Sequence, residues 1–181
     1  MGSLARKLQR AAVPTGARLF HYTIGECLNG ILRDSVITVA SAGVPDGEVP
    51  AVWFSFHPDW EPTANKAMLE RATGRLLLGT RETTASVGGG LARIEVSPTR
   101  APHDWASYLR LAGVRSERAG GLRRAALDAG SHPRLWRVTF DPVGRADWLA
   151  VEVHHEGSWR PHDQPSRAGS ETHDALQELR R

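Results

Sequence analysis

Segments rich in β-branched and aromatic residues do not alternate regularly with helical ones along this chain, and that order constrains the fold more than any single residue. Strand patterns occur at residues 17–23 (ARLFHYT), 36–39, 51–56 (AVWFSF), 91–96 (LARIEV), 135–140 (LWRVTF) and 147–154 (DWLAVEVH). Residues 76–78 suit a brief strand or a helix end. Residues 25–33 place Leu28, Ile31 and Leu32 at helical spacing. Residues 62–73 read as a helix with Pro62 in its first turn and Gly74 past its end. Two further helices are expected at 103–112 and 116–129, stopped by Gly113 and Gly130. This succession makes an α+β fold and not a doubly wound sheet.

The remaining stretches are polar or punctuated. Residues 3–12 suit a basic amphipathic helix ending before Pro14, and 41–50 form a Gly/Pro loop. Residues 81–90 are expected to be loose, ending in a flexible Gly88-Gly89-Gly90 turn. From 161 on, Pro, Ser, Gly and charge accumulate. Residues 1–160 are therefore expected to form one domain, with 161–181 a flexible tail whose last residues, 174–181, suit a helix or tail.

The 181 residues are 40% hydrophobic and 24% charged, which suits a soluble domain with one core. A mean hydropathy of −0.36, with no apolar run near the ~18 residues of a span, argues against membrane insertion. The N-terminal stretch lacks the pattern of a secretory signal. The single Cys27 forms no internal disulfide or Cys-rich zinc site. Its apolar helical surroundings point to a buried structural thiol. A reducing cytoplasm is the expected compartment. Basic residues number 23 against 20 acidic, a formal +3, and only Lys7 and Lys66 are lysines. That balance permits a nucleic-acid partner without requiring one.

Familiar chemical motifs are missing. Gly88-Gly89-Gly90 has neither the Lys-Ser/Thr of a P-loop nor the spacing of a dinucleotide fingerprint. The eight histidines are scattered, and neighbours such as His154 and His155 face opposite ways on a strand, so no metal site is expected. No serine nucleophile elbow is present. What stands out is polar residues inside strands. His21 and Thr23 share one face of the first strand, with Phe20 and Tyr22 opposite. Trp53 and Ser55 share a face of AVWFSF. Trp148, Ala150 and Glu152 are expected on one face of the last strand, and Glu95 with Arg93 on the outward face of LARIEV. Each has an ordinary reading: a hydrogen-bonded strand histidine, a core tryptophan, a glutamate in water.

Two blocks carry a resemblance. Leu19-Phe-His-Tyr-Thr-Ile, followed by Cys27-Leu-Asn-Gly-Ile-Leu-Arg-Asp, resembles the opening of the ADP-ribosyltransferase superfamily, with Ser35 where a glycine is often found. Ala51-Val-Trp-Phe-Ser-Phe, with Thr63-Ala64-Asn65-Lys66-Ala67 downstream, is similar to the second block of its poly(ADP-ribose) polymerase branch, Trp53 replacing a tyrosine. The blocks cover under a third of the chain.

The resemblance implies a split, strongly bent β-sheet core flanked by helices, with NAD in the cleft as substrate. It implies that His21, Tyr22, Thr23, Trp53 and Ser55 bind NAD, His21 at the adenosine ribose and Trp53 beside nicotinamide. It implies a late-strand acidic residue, Glu152, as the catalytic carboxylate near the developing cation and the incoming nucleophile, with Glu95 as rival and Asp104 next in line. The expected activity is mono-ADP-ribosyl transfer to a nucleic acid or protein, in the manner of a toxin or phage-related factor. The alternatives are a non-catalytic binding or inhibitory module of the same fold, and an RNA 2′-phosphotransferase.

Overall fold

The computed structural model describes residues 16–70 and 75–162. Its strands are β1 (Leu19–Ile24), β2 (Val36–Ile37), β3 (Val52–Ser55), β4 (Ala67–Glu70), β5 (Arg75–Leu78), β6 (Leu91–Val96), β7 (Trp136–Thr139), β8 (Val143–Gly144), β9 (Trp148–His155) and β10 (Ser158–Pro161). Its helices are α1 (Gly25–Asp34), α2 (Arg81–Val87), α3 (Trp105–Leu111) and α4 (Ser116–Asp128). Six strands make one open, antiparallel sheet in the order β10-β9-β6-β1-β3-β7. Strand pairs β2–β8 and β4–β5 stand apart from it. The fold is mixed α+β.

Alternation along the central strands sorts residues onto two faces. One face carries Leu19, Val52, Phe54, Ala92, Ile94 and Val96, which close on Leu28 of α1. Burying each of the larger ones contributes about 1.5–3 kcal/mol. The other face carries Phe20, Tyr22 and Leu91 under Trp60, and further along Ala51 and Val138 under Tyr108 and Ala112.

Pairing within the sheet is uneven. β1 pairs with β6 along its whole length, from Leu19↔Val96 to Ile24↔Leu91. On its other side β1 meets β3 at a single paired position, Phe20↔Ser55. The two strands part there, and the candidate site lies in the opening.

The glycine triplet is a fixed cap. Gly90 and Gly88 carbonyls accept from Gly25 N and Glu26 N, each at 3.0 Å, satisfying amides at the start of α1 that have no partner within the helix. A Cβ on Gly25 would sit 2.2 Å from the Gly89 carbonyl oxygen, so this contact requires glycine. At the other end of α1, Ser35 takes the left-handed conformation (φ 56°), the backbone state glycine favours after a helix.

Several sequence expectations change. Residues 62–73 do not begin a long helix: Pro62–Ala64 make one 3-10 turn, and Ala67–Glu70 is a strand. The stretch 81–90 is helical over Arg81–Val87, because Thr80 and Thr83 form a reciprocal cap. Ser158–Pro161 is an additional strand, paired with β9. A bulge sets Val96 opposite Trp148 and Glu95 opposite Ala150, so Trp148 packs into the main core while Ala150 and Glu152 stay on the other face. Cys27 is exposed, because α1 turns Leu28, Ile31 and Leu32 inward instead. The expected helix at 3–12 lies outside the described residues; of the expected tail at 161–181, Pro161 ends β10 and residues from 163 onward lie outside them.

Candidate functional site

Where β1 and β3 part, a cavity of about 520 Å³ opens, within the ~300–1,000 Å³ range of small-molecule sites. β1 contributes Phe20, His21 and Tyr22, and β3 contributes Trp53, Phe54 and Ser55. The segment after β3 adds Glu61, Thr63, Asn65 and Lys66, while Leu122 of α4 and Trp136 of β7 complete the wall.

His21 is held by the split itself. Its Nδ1 lies 2.9 Å from the Trp53 carbonyl oxygen. A carbonyl only accepts, so Nδ1 carries the proton and Nε2 of the neutral ring is an acceptor. Burial, reinforced by the Lys66 charge, lowers the His21 pKa below its ordinary value, against an opposing pull from the Trp53 carbonyl. The ring is neutral near pH 7, and what it offers a ligand is a hydrogen-bond acceptor, suited to a hydroxyl.

The aromatic walls are braced from behind. Trp53 meets Tyr108 and Trp136 with ring centroids 4.5 and 5.6 Å away. Tyr22 packs edge-on against Trp60 at 5.3 Å, and its hydroxyl donates to the His57 carbonyl. Burial raises the Tyr22 pKa, so the phenol keeps its proton.

Glu61 is the carboxylate in this wall. It is 5% exposed, and it accepts from Ser55 Oγ at 2.7 Å, Thr63 Oγ1 at 2.7 Å and Thr63 N at 3.2 Å. Asn65 accepts from Trp60 Nε1 at 2.8 Å through its oxygen, which leaves its amide hydrogens for another partner. Lys66 brings an ammonium to the same wall. Lys66 and Asn65 belong to the second resembling block but had no role assigned, and Glu61 was not singled out. The signal for Glu61 was its place immediately before Pro62, where an acceptor side chain caps a proline-initiated turn.

No family model, curated protein or solved structure matches the chain.

His21, Tyr22, Trp53 and Ser55 thus share one cavity. Thr23 is 7% exposed in β1 and is not in the lining. Glu152 and Glu95 are also outside it. Glu152 binds Arg93 Nε at 2.6 Å and Arg18 at 3.2 Å, and Glu95 binds Arg18 at 2.6 Å. Arg93 is sandwiched between the Phe20 and Trp159 rings, 4.1 and 4.4 Å from their centroids, and donates to the Pro58 carbonyl. Neither glutamate lies in water, and Arg93 is buried. Asp104 caps α3, accepting from Ser107 N at 2.9 Å, a bond that lowers its pKa. Among the described residues no group of three His, Cys, Asp or Glu is placed to hold a metal ion.

Proposed function

We propose that this chain transfers ADP-ribose from NAD to a macromolecular acceptor, with the dinucleotide bound in the cavity between β1 and β3. The observation that carries this reading is one enclosure combining an acceptor-only imidazole at His21, the aromatic surfaces of Tyr22 and Trp53, and a buried carboxylate at Glu61. His21 Nε2 accepts from a ribose hydroxyl. The aromatic faces stack on the flat rings of the substrate, and Lys66 attends the pyrophosphate. Glu61 faces the ribose carbon as positive charge develops on it.

In the reaction the bond between nicotinamide nitrogen and ribose C1′ breaks, and its electron pair leaves with nicotinamide, which becomes neutral. The acceptor nucleophile supplies the pair for the new bond to C1′ and gives up its proton to solvent. A carboxylate about 4 Å from the cationic transition state, at an effective dielectric near 20, contributes about 4 kcal/mol. That equals roughly three decades of rate. The resemblance assigns this role to Glu152. The cavity lining favours Glu61, because the charges of Glu152 and Glu95 are already engaged by arginines.

A second reading, a binding module without catalysis, is favoured by one fact: Glu61 already accepts three hydrogen bonds within the protein. Either reading requires NAD to bind folded chain and raise its melting temperature, by about 2.7 kcal/mol of stability at a hundredfold excess over Kd. His21→Ala is expected to fold and to lose most of that shift. Absence of any NAD-dependent shift in the wild-type chain removes both readings.

A further inference from the structure

Helix α4 packs against the Pro62–Ala64 turn and puts Leu122 in the cavity wall. The arginines of this helical segment differ from most of those elsewhere, although, among the described residues, Arg145 too has no carboxylate and lies over the Trp148 ring. Arg18, Arg33, Arg81, Arg93, Arg100 and Arg160 each hold a carboxylate. Within α3 and α4 and the turn between them, Arg118 alone does so, through Glu48 at 3.0 Å. Among the described residues, Arg110, Arg115, Arg123 and Arg124 have no carboxylate partner, and all four are exposed. Residues 105–137 carry seven arginines against two acids, Glu117 and Asp128, an excess larger than the +3 of the whole chain. The rest of the protein is therefore net acidic, and its positive charge is concentrated in the segment that walls the cavity.

At the far end of α4, His132 lies near both Arg123 and Arg134: its pKa is lowered first by partial burial and then by these two charges. Arg115, at the N-cap, and Arg124 are about 13 Å apart along the α4 axis and half a turn apart around it, so a chain that meets both crosses the helix obliquely. A nucleic-acid backbone brings a charge at every step, whereas an acidic peptide brings one only where its sequence supplies it.

We propose that the arginine-rich α3–α4 segment is the docking surface for a nucleic-acid acceptor, whose backbone crosses α4 and whose reactive group reaches the cavity at Leu122. The role of the strand as acceptor rests on the transferase reading; docking itself needs no NAD. Arg115, Arg123 and Arg124 neutralise phosphates and release their counterions, so affinity falls with salt.

The test is fluorescence anisotropy with the full chain, without NAD, using labelled mixed-sequence single-stranded DNA and RNA of about 20 nucleotides, from roughly 50 to 200 mM salt. The wild type is expected to bind with a linear log–log salt dependence. The triple variant Arg115→Glu, Arg123→Glu, Arg124→Glu is expected to bind at least ~10-fold more weakly, its salt slope reduced by about two to three. Arg123→Glu alone should show a smaller change in the same sense, which keeps the test valid if the triple variant does not fold. Arg33→Glu, an exposed arginine already paired with Asp34, should leave binding unchanged. No binding at the lowest salt, equal weakening by Arg33→Glu, or equal competition by polyglutamate each overturns the proposal. Docking that survives while no label passes from NAD to the strand contradicts the transferase reading and leaves the docking surface standing.

Discussion

The Nδ1–H of His21 donates to the main-chain carbonyl of Trp53 across a 2.9 Å gap at the point where β1 and β3 cease to pair. A side chain thereby takes the place of a missing rung in the ladder. The same bond fixes which ring nitrogen faces a ligand, so the interruption of the sheet and the chemistry of the cavity have one cause.

That bond predicts a pH dependence. Burial holds the His21 pKa below the ordinary 6.5, so an unfolded chain takes up a proton near 6.5 while the folded chain does not. Stability from this group is full above pH 6.5 and falls as pH drops from there toward the lower folded value. NAD binding is lost only below the folded-state pKa of His21, where a protonated Nε2 no longer accepts, so it should outlast the loss of stability as the pH falls. Thermal melts from about pH 7.5 down through the ordinary value of about 6.5 are expected to show the stability loss in the wild type, with NAD titrations over the same range declining later or not at all. In His21→Ala the His21 contribution to the stability slope should vanish; an unchanged slope would assign the pH dependence to other groups.

The carboxylates separate by variant. Glu61→Gln preserves shape: its oxygen can still accept from Thr63 N and Oγ1 while its amide donates to Ser55 Oγ, whose hydroxyl can turn to accept. It is expected to reduce transfer by about three decades with a much smaller effect on NAD affinity. Glu152→Gln removes the charge that faces Arg93, a guanidinium 6% exposed. Its expected cost is in stability, about 3 kcal/mol, the lower end for breaking one side of a buried pair. Glu95→Gln should do less, since Arg18 is 46% exposed and an exposed pair contributes about 0–1 kcal/mol. Rates per folded molecule and urea melts of the three variants decide the assignment, and a three-decade loss in Glu152→Gln with none in Glu61→Gln would restore Glu152.

The bulge in β9 makes opposite predictions for adjacent residues. Trp148 donates to the Val143 carbonyl at 3.2 Å and packs on the main core, so Trp148→Ala is expected to cost about 2 kcal/mol or more. Leu149 is 64% exposed, and Leu149→Ser should stay within about 0.5 kcal/mol. Uniform alternation along 147–154 would reverse that order in denaturant melts.

The central strands were legible because their alternation is strong: ARLFHYT, AVWFSF and LARIEV fall in β1, β3 and β6. The approach of His21, Tyr22, Trp53 and Ser55 follows from β1 and β3 being neighbours, which their sequence hints at only through the resemblance. Glu61 was hidden by Pro62, which reads as the first turn of a long helix yet here opens a single turn. The face of Trp148 was misjudged because a bulge leaves no mark in period-two counting. β10 went unseen because Ser-Trp-Arg-Pro has no alternation, and its pairing is supplied by the turn at Glu156-Gly157. Gly88-Gly89-Gly90 looked free because nothing local shows that α1 rests its first amides on it.

Mass-spectrometric release of nicotinamide from NAD by the purified chain, with the nucleic-acid strands present, tests the central claim most directly. The account predicts nicotinamide and an ADP-ribose-bearing product in equal amounts from the wild type, and a loss of about three decades in both for Glu61→Gln. An NAD-stabilised chain that releases no nicotinamide with any acceptor would contradict catalysis and leave a binding module.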